Sequence, residues 1–171
     1  AGGYSRLGNY KQALDYYRKS LAALKDDNTL KYGYTLFNMG DQYLKLSNPD
    51  SAMIYFNLAN PIFEDNEDVM GMAYTRGSKG KAYELLEKDD LALKNLNEAI
   101  ASLSKLDDYY NAICEYQLDI SEIYLKQGAL EAAEKNALLS LELAEKNRLK
   151  PEIRDAYLLL SKIYEQRGDK D

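Results

Sequence analysis

The chain has no histidine and no tryptophan, one cysteine and three prolines in 171 residues. Without imidazole, the commonest general base and the commonest zinc ligand are both missing. Serine-triad, zinc-hydrolase and thiol-protease chemistry each lose a required group, so the expectation is a non-enzyme with no catalytic residue, metal or cofactor. The lone Cys114 builds no disulfide framework and leaves a reducing cytosol and an oxidising bacterial periplasm equally open. With nothing to activate its thiol, it reads as a small packing residue. No apolar run approaches the roughly 18 residues of a membrane span, and no charged-then-apolar leader is present, so no membrane contact is expected. A formal net charge of −6 argues against a nucleic-acid partner, which needs clustered cations. Strand signals are missing too: no Val/Ile/Thr alternation and no Asn-Gly or Asp-Gly turn.

What the chain does have is helix-forming material, with 46% hydrophobic and 29% charged residues, enough to bury a core. It also repeats. A small residue stands three places before a tyrosine in Ala1/Tyr4, Gly40/Tyr43, Gly80/Tyr83, Ser121/Tyr124 and Ser161/Tyr164, at steps of 39, 40, 41 and 40. Nine residues past the first four tyrosines come Ala13, Ala52, Ala92 and Ala133. Then follow Tyr17, Phe56, Leu96 and Ala137, and after them Ser20, Ala59, Ala99 and Ser140. Small side chains let two helix axes approach closely while a large one fills the space beside them. Between the halves lie turn residues: Gly8-Asn9, Ser47-Asn48-Pro49, Glu87-Lys88-Asp89, Gly128-Ala129 and Gly168-Asp169. Glycine tolerates the left-handed backbone that ends a helix, and Asn or Asp caps the next.

These positions resemble the tetratricopeptide repeat, a helix-turn-helix family of solenoids. The units here are longer than the family's usual length of about 34 residues, and the third copy is weak, carrying Arg76 and Lys79. The resemblance implies an all-α fold, a right-handed α-α superhelix of antiparallel helix pairs with about nine helices. The helices are expected near 9–25, 29–47, 49–62, 67–87, 89–105, 109–127, 130–147 and 151–167, after a first one ending at Gly8. The chain reads as one repeat segment with units at 1–28 (partial), 29–66, 67–108, 109–148 and 149–171 (partial). Both ends look uncapped, as in a piece of a longer protein or one whose ends pair with another copy. The long units also resemble regulatory or sensory repeat regions of bacterial, Bacteroidetes-like signalling proteins.

In the family the first helix of each pair lines a concave face that takes peptides or partner helices. Carried over by register, that face comprises Tyr34, Phe37, Asp41 and Leu44; Tyr74, Gly77, Lys81 and Glu84; Glu115, Leu118, Glu122 and Leu125; and Asp155, Leu158, Lys162 and Glu165. The mixture is acidic and aromatic, suited to a basic and apolar protein segment; an ordinary solvated face is the open alternative, as is a scaffold that self-associates without a groove ligand. Other motifs read as structure. Asp26-Asp27, Asp89-Asp90 and Asp107-Asp108 are placed as helix caps, RGSKGK at 76–81 sits within a helix rather than in a phosphate loop, and the glycine of RGD at 167–169 is an inter-helix turn. The sixteen tyrosines are mostly packing residues.

Overall fold

The computed structural model of the chain describes residues 2–24 and 29–168, with side chains from residue 9 onward. Ala1, Asp26, Asp27 and Asp169, and the side chain of Tyr4, lie outside the described residues. Among those described, all regular structure is helical: α1 (Gly2–Ala23), α2 (Leu30–Lys45), α3 (Pro49–Asp65), α4 (Val69–Leu85), α5 (Asp89–Leu103), α6 (Tyr110–Lys126), α7 (Leu130–Lys146) and α8 (Lys150–Arg167). Eight helices replace the nine expected, because α1 runs through Gly8-Asn9 without a break. Glycine permits a left-handed turn but does not demand one. In a helix interior it costs about 1 kcal/mol relative to alanine, a cost that the hydrogen bonds of an unbroken helix offset. Helix α3 similarly continues past Pro61 to Asp65, since Ile62 and Phe63 just beyond the proline are buried.

The chain divides into two compact units, Ala1–Lys88 and Asp89–Asp171. In the first, α2 packs on α1 and α3, α3 on α4, and α2 also touches α4; in the second, α6 packs on α5 and α7, α7 on α8, and α6 also touches α8.

Repeat positions of the second, third and fourth copies form the core of the two units, whereas Ala13, Tyr17 and Ser20 of the first copy are half-buried and Ser161 of the fifth is exposed. Ala52, Phe56 and Ala59 in the first unit, and Ala92, Leu96, Ala99, Ala133, Ala137 and Ser140 in the second, are fully buried. The small residues opposite them set the spacing. A Cβ on Gly40 would lie 2.5 Å from Phe56 Cε1, and one on Gly71 would lie 2.6 Å from Phe63 Cγ. In the second unit the same register carries Ser121, whose hydroxyl donates to the Ala133 carbonyl at 2.7 Å. The tyrosines of the series, Tyr43, Tyr83, Tyr124 and Tyr164, are half-buried. Tyr43 stacks on Tyr55 at 5.4 Å. Tyr164 donates to Glu134 at 2.8 Å while Arg167 donates to the other Glu134 oxygen at 2.6 Å, and Arg167 then Tyr164 hold that carboxyl below its usual range. The weak third copy is explained by Lys79, which takes the register position of the buried Met39, Ile120 and Leu160. Burial lowers its ammonium pKa although Glu64 opposes the shift.

The six turns from α2 to α8 and the end of α8 each carry one left-handed residue. Left-handed φ values occur at Ser47 (53°), Glu67 (53°), Glu87 (57°), Asp108 (71°), Gly128 (75°), Arg148 (57°) and Gly168 (87°). These members are evenly spaced along the chain, except that the step from Glu87 to Asp108 is longer by a single position. In five of these turns the next amide reaches back to the carbonyl five positions earlier: Asn48 to Tyr43, Asp68 to Phe63, Lys88 to Tyr83, Ala129 to Tyr124 and Leu149 to Ala144, all at 2.8–2.9 Å. This is the Schellman closure, and three of its acceptors are tyrosines of the repeat series. A non-glycine residue in this conformation costs about 1 kcal/mol. Glu87→Gly is therefore expected to raise the urea midpoint by the equivalent of about 0.5 kcal/mol, after the extra chain entropy glycine brings to the unfolded state. Gly128→Ala, where nothing lies within 4 Å of an added Cβ, should lower stability by about 0.5 kcal/mol, the backbone strain less the same entropy difference; equal midpoints for both variants would contradict the assignment.

Candidate partner-binding face

In the first unit the contact of α2 with α4 assembles the aromatic part of the expected face. The Tyr34 ring lies 4.8 Å from the buried Phe63, and its hydroxyl donates to Asp68 Oδ2 at 2.6 Å. Asp68 is the N-cap of α4, its Oδ1 accepting from the Gly71 amide at 3.1 Å. One carboxylate thus caps a helix and orients Tyr34, a role that sequence reading did not assign; the available signal was an aspartate immediately before an apolar helix. Phe37 sits between Phe56 at 5.7 Å and Tyr74 at 6.3 Å. Tyr34, Phe37 and Tyr74 are half-buried. Asp41 pairs with Lys45 at 2.6 Å one turn on, Lys81 is half-buried on α4, and Gly77 is buried.

The second unit presents a different surface. Glu115 and Glu122 on α6 are exposed, separated by Leu118 and Leu125, which pack on the core formed by Ala133, Ala137, Leu159 and Ile163. On α8, Asp155 and Lys162 are exposed, and Asp155 lies 2.8 Å from Arg154. Leu158 is 57% exposed between them. Each unit therefore carries its own set of expected residues, aromatic in the first and carboxylate-rich in the second.

Cys114 is fully buried, its thiol donating to the Ser140 carbonyl at 3.4 Å while the Ser140 hydroxyl donates to the Cys114 carbonyl at 3.0 Å. Burial pushes the thiol up to about 11, only partly opposed by the bond to Ser140. A folded pKa above the unfolded value means that this contribution is full below about pH 9 and is lost as pH rises toward 11. Wild type is expected to lose about 2 kcal/mol more than Cys114→Ala over that window, read as the difference in denaturant midpoints. Parallel curves would contradict it.

Arg167 of the RGD triplet is engaged with Glu134, and Gly168 closes α8 with a left-handed backbone. Among the described residues no group of three metal-ligating side chains occurs, and no helix is long and apolar enough to cross a membrane.

The tetratricopeptide-repeat family model matches residues 4–23, within α1. No curated protein sequence matches the chain. Three solved structures are similar in fold. BtubC (BKLC) from P. vanneervenii has a TM-score of 0.80 at 16% identity, over 96% of this chain and 69% of that one. Aspartyl phosphate phosphatase F from Bacillus subtilis has 0.84 at 16%, over 95% and 44%. The signal transduction ATPase with numerous domains PH0952 from Pyrococcus horikoshii, described as having a tetratricopeptide repeat sensor, has 0.79 at 21%, over 95% and 25%. The chain thus spans under half the length of the second and a quarter of the third. The all-α fold of paired helices resembles tetratricopeptide-repeat solenoids.

Proposed function

We propose that the chain is a non-enzymatic module that binds a protein segment with basic and apolar side chains, using the exposed surface of α2 and α4 and that of α6 and α8. The observation that carries this reading is the aromatic cluster of Tyr34, Phe37 and Tyr74, held half-open by Phe63, Phe56 and Asp68. Rigid rings backed by core and bordered by carboxylates favour apolar and cationic groups. Asp41 in the first unit and Glu115, Glu122 and Asp155 in the second supply the negative field of their own surfaces, with Lys81 and Lys162 as the basic members of the two sets. The repeat units at about 1–28, 29–66, 67–108, 109–148 and 149–171 are supported by left-handed turns at Glu67, Asp108 and Arg148, at or beside each internal boundary from 66 onward. A regulatory or sensory role is supported by the likeness to a protein described as having a tetratricopeptide repeat sensor. In such a role the partner would shift the repeat region between conformations.

The test is fluorescence anisotropy with short extended peptides graded in charge and apolar content. Lys/Leu-rich peptides should bind, and the triple variant Asp41→Lys, Glu122→Lys, Asp155→Lys should weaken them at least tenfold. Unchanged affinity in a folded triple variant sinks the reading. A second reading, self-association as a scaffold, is favoured by Tyr157 (54% exposed) and Leu158 on α8; sedimentation equilibrium across a concentration series decides it, a strict monomer removing the idea.

A further inference from the structure

The repeat register allows one unit to be compared with the other. Corresponding residues of the second and fourth repeats are 81 apart, as Tyr43 and Tyr124 are. In the first unit Leu36, Ile62 and Phe63 are core, with Leu21 and Tyr32 packed against them. In the second unit the corresponding positions read Gln117 for Leu36, Ile113 for Tyr32 and Ala144 for Phe63. Two of these positions, Gln117 and Ile113, line a cavity of about 410 Å³ between α6 and the ends of α5 and α7, while Ala144 is fully buried outside its wall. Gln117 lines it, and Gln117 Oε1 is shielded from solvent with no hydrogen-bond partner.

The adjoining turn is irregular in the same place. The step from Glu87 to Asp108 is the longer one, and the chain after α5 closes with Leu106 donating to the Leu103 carbonyl at 2.9 Å in place of the Schellman bond. Leu106 and Asp107 of this turn form part of the cavity wall. Its apolar lining includes Ile100 and Leu143, and its charged groups are Asp107, Glu142 and Lys146.

We propose that this cavity is a binding site for a small primary amine with a branched or aromatic apolar body. Its volume lies within the range of small-molecule pockets. A shielded acceptor without a donor calls for a ligand that brings one. Two carboxylates against one ammonium favour a cationic donor over a neutral one, and the apolar walls take the hydrocarbon. None of these residues belongs to the partner face proposed above, so the two readings stand or fall separately.

The experiment is an NMR titration of the ¹⁵N-labelled full chain with 3-methylbutylamine, 3-methylbutanol and 3-methylbutanoate. The amine should give saturable shifts confined to cavity-lining residues of α5, α6 and α7 and bind at least tenfold more tightly than the alcohol; the carboxylate should not bind. Gln117→Leu, which installs the residue of the second repeat, should abolish the amine shifts and raise the thermal midpoint. Glu142→Gln, at an exposed position, should weaken the amine several-fold and provides the readout if the first variant misfolds. No saturable shifts at millimolar amine, equal binding of all three probes, or unchanged binding in folded Gln117→Leu or Glu142→Gln would each overturn the proposal and leave a cavity that holds only water.

Discussion

Phe63→Ala is expected to cost about 3–5 kcal/mol of folding stability, the range for removing a buried aromatic ring and leaving its cavity. Phe63 is fully buried at the junction of α2, α3 and α4. It lies under Gly71, beside Gly33, and against the Tyr34 ring at 4.8 Å. Relaxation is limited, because closing the hole requires α2 and α4 to move together. The loss should appear as a drop in guanidinium midpoint with little change in slope. A second consequence is functional: Tyr34 loses the ring behind it while its bond to Asp68 remains, so peptide affinity should fall even under conditions where the variant remains folded. A cost below about 1 kcal/mol would show that the aromatic contact is not what spaces these helices.

The complementary substitutions are Gly71→Ala and Gly40→Ala, each expected to destabilise by about 2–3 kcal/mol through overpacking. The sign is the informative part. On helix propensity alone, alanine should stabilise each helix by about 1 kcal/mol. The added methyl, however, would meet the Phe63 ring in one case and the Phe56 ring, at 2.5 Å, in the other. Pairing Gly71→Ala with Phe63→Leu should recover part of the loss, with a coupling energy of about 1–3 kcal/mol in a double-mutant cycle measured by chemical denaturation. Additive effects would disconnect the glycine from the ring.

The small-residue and alanine positions were readable from sequence because a helix pair can approach closely only where side chains are short, and that constraint recurs at a fixed period. Ala52, Ala92 and Ala133 are fully buried for this reason. Gly8-Asn9 misled, since the same residue pair fits a turn and, at modest cost, a helix interior. The left-handed turns at Ser47, Glu67, Glu87, Asp108 and Arg148 carried no glycine to announce them. Most are held by closing hydrogen bonds, which the backbone supplies whatever the side chain. At the partner face, register put Phe37 and Tyr74 on one expected surface but did not say that they touch; their ring centroids lie 6.3 Å apart. It could not show that Asp41 is engaged by Lys45 or that Gly77 is covered, because those depend on side-chain reach and on neighbouring helices. The cavity at Gln117 was invisible for a related reason: a single glutamine on a helix looks like surface until its register position is seen to be a core slot.

The even spacing of the left-handed residues has a consequence for how such a chain can be lengthened or shortened. Each joint inside a unit reverses the direction of travel, so joints matter in twos. A splice from Asp108 to Arg148 removes one outbound and one returning helix, α6 and α7, and α8 keeps its heading. A splice from Asp108 to Gly128 removes α6 alone and sends the remaining chain the wrong way from a joint too short to correct it. Duplication and deletion in this architecture are therefore quantised in double steps, and the one longer step, between Glu87 and Asp108, shows that a lone insertion is absorbed within a joint without disturbing that parity.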